Sequence, residues 1–339
     1  RSGERESARR LLDAGANVHD TTADGNPALI IAAHSGQGSV AALLLEQGAD
    51  PNAAPLGYTA LHAAVVRGTL RDRGVASDDP EAGVPLVRAL LAHGADPNAR
   101  LEKGTPVRRW SHDFALMARW VDATPYWLAA KFLETEMMRV LAEAGADPKL
   151  ASRDGTTPLM ATAGLGYSRG GGSAFIKNRR DFSSYNPVAS AASGSRIPEA
   201  EERLALAAVT TALELGADVR AVDDAGNTAL HAAASHGMDT LVRTLIGRGA
   251  DPRATNNRGQ TPLALAVYSD GIAGDREVRE STATLLGELD STAHPAEPHG
   301  HVEAQTHQNP VDATPASIAA GAALYARQCA ACHGPTGLG

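Results

Sequence analysis

The only two cysteines of this chain stand with a histidine in one pentapeptide, Cys329-Ala-Ala-Cys332-His333. At this spacing two thiols can form thioether bonds to the two vinyl groups of one haem, while the next residue supplies an axial imidazole to the iron. The same residue types serve other chemistry. A zinc site on Cys329 and Cys332 needs two further ligands, for which His294, His299, His301 and His307 are the near candidates. A thioredoxin-type redox pair needs a βαβ context, which this stretch lacks. A chance pentapeptide in a helix is the remaining reading.

The flanking residues bear on that choice. Thr314 can cap a helix, Pro315 suits its first turn, and Ala316 to Gln328 are good helix formers apart from Gly321, so a helix is predicted over 315–329. The run reads Gly321-x-x-Leu324-Tyr325-x-x-x-Cys329-Ala-x-Cys332-His333-Gly334-x-x-Gly337-x-Gly339. It resembles the N-terminal helix and haem-attachment loop of class I c-type cytochromes. The resemblance implies covalent haem c on Cys329 and Cys332, with His333 as proximal ligand to the iron and a distal Met further downstream. It implies that Gly321 and Tyr325 meet a C-terminal helix, and that single electrons pass to a redox partner. It also implies a bacterial, periplasmic or otherwise extracytoplasmic location. The chain opens on Arg1 and stops at Gly339, just past the motif. That predicts a piece of a longer protein, truncated at both ends, with a signal peptide upstream.

Residues before about 290 carry a different pattern. Gly-Ala-Asp/Asn triplets begin at Gly15, Gly48, Gly94, Gly145, Gly216 and Gly249. The first and last intervals are 33 residues and the three between are 46, 51 and 71, a base period of 33 lengthened three times by insertion. A helix-opening motif recurs as Thr59-Ala60-Leu61-His62, Thr228-Ala229-Leu230-His231 and Thr261-Pro262-Leu263-Ala264, with degenerate copies over 26–33, 123–130 and 156–163. In each full copy the Thr hydroxyl can cap orphan backbone N–H groups, and Pro suits the first helical turn. Leu-rich second helices (Leu43-Leu44-Leu45, Leu90-Leu91, Leu245-Ile246) run into a glycine that permits a left-handed cap. Period and motif resemble ankyrin repeats. The resemblance implies an all-α solenoid of helix-turn-helix repeats joined by short β-hairpin loops, acting as a protein-binding scaffold. The expected organisation is a remnant plus six repeats over 1–289, a flexible Pro/His linker over 290–314, and the truncated cytochrome segment over 315–339. His62 and His231 are expected to brace the loops by hydrogen bonds.

Bulk composition agrees with stacked small helices. Hydrophobic residues make up 43% of the chain but aromatics only 4%, which suits Ala, Leu and Val layers better than one large core. A formal charge of −8 argues against nucleic acid as the main partner. No apolar run is long enough to span a membrane. No Ser/His/Asp set, nucleotide loop or paired-carboxylate motif has supporting context; Gly170-Gly171-Gly172 lacks the Gly-Lys-Ser/Thr ending of a phosphate loop. The array is therefore expected to be non-catalytic.

The three insertions differ. Residues 69–83 are polar and charged, and residues 106–122 place Trp110, Phe114, Met117 and Val121 on one helical stripe. Residues 167–198 are Gly- and Ser-rich, with aromatics interleaved with Arg169, Lys177, Arg179 and Arg180. Nine of the thirteen Phe, Trp and Tyr residues fall within 110–127 and 167–185. Aromatics and arginine anchor binding surfaces, so Trp110, Phe114, Trp120, Phe175, Arg179, Arg180, Phe182 and Tyr185 are expected to form a partner surface built by the two loops together. The competing expectation is that these loops fold back over apolar surface of the array.

Overall fold

The computed structural model describes residues 2–23, 25–68, 79–103, 120–164, 199–267 and 276–293. A lone helix, α1 (Ser2–Asp13), precedes a succession of shorter and longer helices. The shorter, inner ones are α2 (Ala28–Ser35), α4 (Ala60–Gly68), α6 (Pro125–Lys131), α8 (Pro158–Thr162), α10 (Ala229–Ser235) and α12 (Pro262–Val267). Their outer counterparts are α3 (Gly38–Glu46), α5 (Val84–Ala92), α7 (Thr135–Glu143), α9 (Glu199–Glu214), α11 (Asp239–Gly247) and α13 (Arg276–Ala293). Inner helices stack on inner and outer on outer, so the unit Arg1–Thr292 is a helical solenoid with one continuous apolar core.

Local chemistry explains both helix ends. The Thr124, Thr157 and Thr228 hydroxyls accept from the backbone N–H three residues on, and α6 and α8 begin with proline. Ala63, Ala64, Ala129, Ala130, Ala232 and Ala233 are fully buried where inner helices meet, because only a small side chain lets two short helices approach that closely. Leu44, Leu90, Leu141 and Leu245 fill the layer between inner and outer helices.

Outer helices take caps from neighbouring repeats. The Asp79 carboxylate accepts from the Ser39 N–H at 2.8 Å and the Ser39 hydroxyl at 2.7 Å at the start of α3. Burial pushes the Asp79 carboxyl up, but these hydrogen bonds outweigh it and hold it below the usual carboxylate range. Glu202 accepts from the Thr240 N–H of α11 in the same manner. Asn52 and Asn98 stitch successive loops, each donating to a glycine carbonyl one repeat on (Gly94, Gly145) and accepting from the N–H of Asp96 or Asp147.

The expected β-hairpin loops are turns without strands. Among the described residues the single bridge joins Thr21 and Pro27. Each tight turn closes on two main-chain hydrogen bonds within five residues, which is too short to propagate a ladder. The cytochrome-like segment 315–339, and the linker from residue 294 on, lie outside the described residues. Among the described residues no helix is long and apolar enough to cross a membrane, and no group of three or more His, Cys, Asp or Glu side chains is placed to hold a metal ion.

Candidate docking site

The turns that carry an ankyrin-like array's binding tips are built alike here. Thr22, Ser152, Asp223 and Asn256 each donate their N–H to the carbonyl four residues on, at Asn26, Thr156, Asn227 and Gln260. A glycine in left-handed backbone (Gly25, Gly155, Gly226, Gly259) precedes each acceptor. Adjacent turns are joined by main-chain bonds, Arg153 to Val121, Asp224 to Asp154 and Asn257 to Ala225.

The turn-closing carbonyl is also where one repeat grips the next. His231 accepts at Nδ1 from the Thr228 N–H (3.1 Å), which leaves Nε2 to donate to the Gln260 carbonyl at 3.0 Å. His62 is placed identically, between the Thr59 N–H and the Ala123 carbonyl at 3.3 Å. Both imidazoles brace the loops, as expected. Burial lowers the pKa of His62 to about 4 and also lowers that of His231. In the third repeat the same position holds Trp127, whose indole Nε1–H donates to the Thr156 carbonyl at 2.8 Å. Sequence analysis did not identify this brace. Its signal was the alignment of Thr124-Pro125-Tyr126-Trp127 with Thr59-Ala60-Leu61-His62.

One turn is split open. Leu101 donates to Ala123 at 2.9 Å and Asp122 donates back to Leu101 at 2.7 Å, so Leu101 and Ala123 occupy the places of Ser152 and Thr156 although 22 positions separate them. Asp122, at φ 66°, stands where the other turns have glycine. Arg100 Nη1 donates to the carbonyls of Asp122 (2.6 Å) and Ala151 (2.5 Å), and Arg153 Nε donates to the Asp122 carboxylate at 3.0 Å. The segment 104–119 therefore leaves from, and returns to, a clamped root at a turn tip.

Trp120 lies in that root, which corrects its placement on a partner surface. It is 5% exposed and packs edge-on against Phe132 (centroids 5.7 Å apart) and tilted against Trp127 (6.4 Å). The Trp120 carbonyl accepts from the Ala123 N–H, so the turn's own closure fixes the indole over α6. Lys131, 3% exposed, places Nζ 5.5 Å from the Trp120 ring centroid and 5.7 Å from that of Trp127, a cation held over two π faces. Tyr126, behind them, is fully buried; burial pushes its phenol pKa up, and its hydroxyl has no hydrogen-bond partner among the described residues. Leu133 ends the inner helix at φ 60°, where Gly36, Gly164 and Gly237 end the others.

The two aromatic insertions are not rooted side by side. Segment 104–119 departs from a turn tip, at the N-terminal end of inner helix α6. Segment 165–198 departs between α8 and α9, at the C-terminal end of an inner helix. Trp110, Phe114, Phe175, Arg179, Arg180, Phe182 and Tyr185 lie outside the described residues, as do Cys329, Cys332 and His333.

Comparison with known proteins agrees with this geometry. The family described as ankyrin repeats in three copies matches residues 1–101, and that described as ankyrin repeats in many copies matches residues 213–266. The ankyrin repeat domain of Bcl-3, described as a unique member of the IkappaB protein family, has a similar fold. Its TM-score is 0.51 at 22% identity, over 83% of this chain and 91% of that one. No curated protein matches the sequence. Residues 1–101 and 213–266 thus match ankyrin repeats, and the described residues fold as a helical solenoid.

Proposed function

We propose that this chain is a docking scaffold whose partner is chosen by the two aromatic insertions. The observation that supports this most is the clamped root at Leu101, Asp122 and Ala123, which presents a 16-residue segment from one turn tip while the array continues on both sides. Segment 104–119 carries Arg108, Arg109 and Arg119 against Asp113, and segment 165–198 carries Arg169, Lys177, Arg179, Arg180 and Arg196 against Asp181. Both are basic islands in a chain of net charge −8, which favours an acidic protein surface as partner. Excising 104–119 would leave Leu101-Glu102-Lys103-Trp120-Val121-Asp122-Ala123, which keeps the Leu101–Ala123 closure and the Trp120 packing. The test is cross-linking in the native host with that excision and with 165–198 replaced by a short Gly/Ser link. The reading predicts loss of the cross-linked partner with unchanged helical circular dichroism; a partner retained by both variants would refute it.

The second reading adds an electron carrier. It rests on Cys329, Cys332 and His333, two thiols that could form thioether bonds to haem and one imidazole that could ligate its iron, in the flanks described above. When bound, haem c would supply one-electron exchange with a redox partner. Its covalent attachment would place the protein outside the bacterial cytoplasmic membrane. Expression of the longer gene with a cytochrome c maturation system should give a Soret band that survives acid-acetone extraction. Cys329→Ser with Cys332→Ser should abolish it, and a colourless parent protein would leave docking as the whole function.

A further inference from the structure

Three equivalent contacts hold successive repeats together through the turn-closing carbonyl, and they differ in one chemical respect. Imidazole can take a proton at the nitrogen that accepts from the Thr N–H; indole cannot. Protonated His62 would point an N–H at the Thr59 N–H, with the Thr59 hydroxyl, 2.9 Å from Nδ1, as its one acceptor, and a charge would sit in a site with no exposed side. The charged group acting on His62 is Asp96 and that acting on His231 is Asp223; the carbonyls of Ala99 and Ala123, or Ala254 and Gln260, complete each environment. These favour the protonated form but do not outweigh burial, which comes first in both cases.

We propose that the array carries two acid-released latches and one that acid does not release. His62 lets go of the Ala123 carbonyl, and His231 of the Gln260 carbonyl, as each takes up a proton, while Trp127 keeps its hold on Thr156. The released junctions flank the third, fourth and fifth repeats, and one of them is the root from which segment 104–119 departs. The sign follows from linkage. The open state binds the proton more tightly, so each latch is fully closed above the ordinary histidine pKa and weakens as pH falls below it, roughly tenfold in opening constant per pH unit until the folded-state value is passed.

The test is amide hydrogen exchange on the full chain between pH 7 and 4.5, corrected for intrinsic rate. The reporters are the N–H groups of Leu101 and Asn256, which share the acceptor carbonyls with the two histidines, and of Ser152, which shares Thr156 with Trp127. Leu101 should lose protection by roughly two orders of magnitude over this range, Asn256 should fall in the same direction, and Ser152 should stay flat. His231→Gln should remove the pH dependence at Asn256 and leave that at Leu101; should His62→Gln not fold, the parent's Leu101 amide and the His231→Gln chain still decide. Ser152 falling in step with the other two, or either histidine junction staying flat to pH 4.5, overturns the proposal.

Discussion

Trp127 offers the most direct test of the brace. Trp127→Phe keeps an aromatic ring but removes the N–H that donates to Thr156 at 2.8 Å, while Trp127→His restores the donor used at His62 and His231. The Thr156 carbonyl keeps its bonds from the Ser152 N–H and hydroxyl, so the phenylalanine variant loses one net hydrogen bond, about 1 kcal/mol, without leaving an orphan. The smaller ring adds roughly 1–2 kcal/mol for the void. The histidine variant keeps the bond but gives up more packing, including the stacking on Trp120, worth about 0.5–1.5 kcal/mol. At pH 7 the two should therefore lie within about 1 kcal/mol of each other. At pH 4.5 they should separate. An imidazole buried as His62 is, with a pKa near 4, forfeits about 2–3 kcal/mol between pH 6.5 and 4.5, because each unit is worth about 1.4 kcal/mol. Urea unfolding followed by circular dichroism at both pH values gives the double difference, with the parent protein as baseline. A double difference below about 0.5 kcal/mol would mean that position 127 does not brace the next turn through a hydrogen bond, and the equivalence of the three contacts would fail.

Three further outcomes follow from individual side chains. The Asn26 carboxamide oxygen is buried without a hydrogen-bond partner, whereas its counterpart Asn227 accepts from Asn256; Ala54 stands at the place of Asn256, so Ala54→Asn should raise the denaturation midpoint by the equivalent of about 1 kcal/mol in urea titration. Gly38 begins α3 against the backbone of Glu81 and Ala82, on which an added Cβ would fall, so Gly38→Ala should cost about 1–3 kcal/mol by thermal melt, against the usual benefit of Ala in a helix. Glycine at the two left-handed non-glycine positions, Asp122 and Leu133, should act unequally. Asp122→Gly exchanges about 1 kcal/mol of relieved strain for an exposed ion pair and should be near neutral, while Leu133→Gly forfeits a 5%-exposed side chain and should destabilise by about 1–2 kcal/mol in the same melt.

The helical solenoid was legible because its signals are local and periodic. A left-handed glycine after outer helices α3 to α11, and a threonine capping inner helices α4 to α12, recur at fixed offsets whatever lies between them. The limits of the insertions were less legible because turn closure is not local. Nothing near residue 120 says that Ala123 pairs with Leu101, so the helical stripe through Trp110, Phe114, Met117 and Val121 drew the end of the insertion at 122, and Trp120 was counted among partner-facing residues. The pairing instead makes 120–123 the stem of a turn and turns Trp120 inward. Trp127 was overlooked for a related reason: its position was visible in the alignment, but its role belongs to the N–H donor that indole shares with imidazole, and residue identity hides that. The haem motif was read from a stretch outside the described residues, so the geometry of the array bears on docking and not on it.

Where a partner can bind is narrowed by what the inner helices bury. Every residue of α6 and α8 is buried, including Lys131, although the corresponding end of α10 leaves Ser235 and His236 half-buried and α2 exposes Ile31. The middle of the array thus offers no open inner-helix face. Besides residues of the outer helices such as Glu136 and Arg139, the turn tips are exposed, and these alternate in sign: Glu102 beside Lys103, Arg153 beside Asp154, then Asp224 and Arg258. Mixed charges so close together largely cancel within a Debye length and supply little steering. The proposed docking on the two insertions draws instead on sequence rich in arginine and large apolar side chains. That is why excising segment 104–119, which keeps the Leu101–Ala123 closure and leaves Trp120 packed on α6, separates the docking reading from a purely structural one better than any single substitution on the tips.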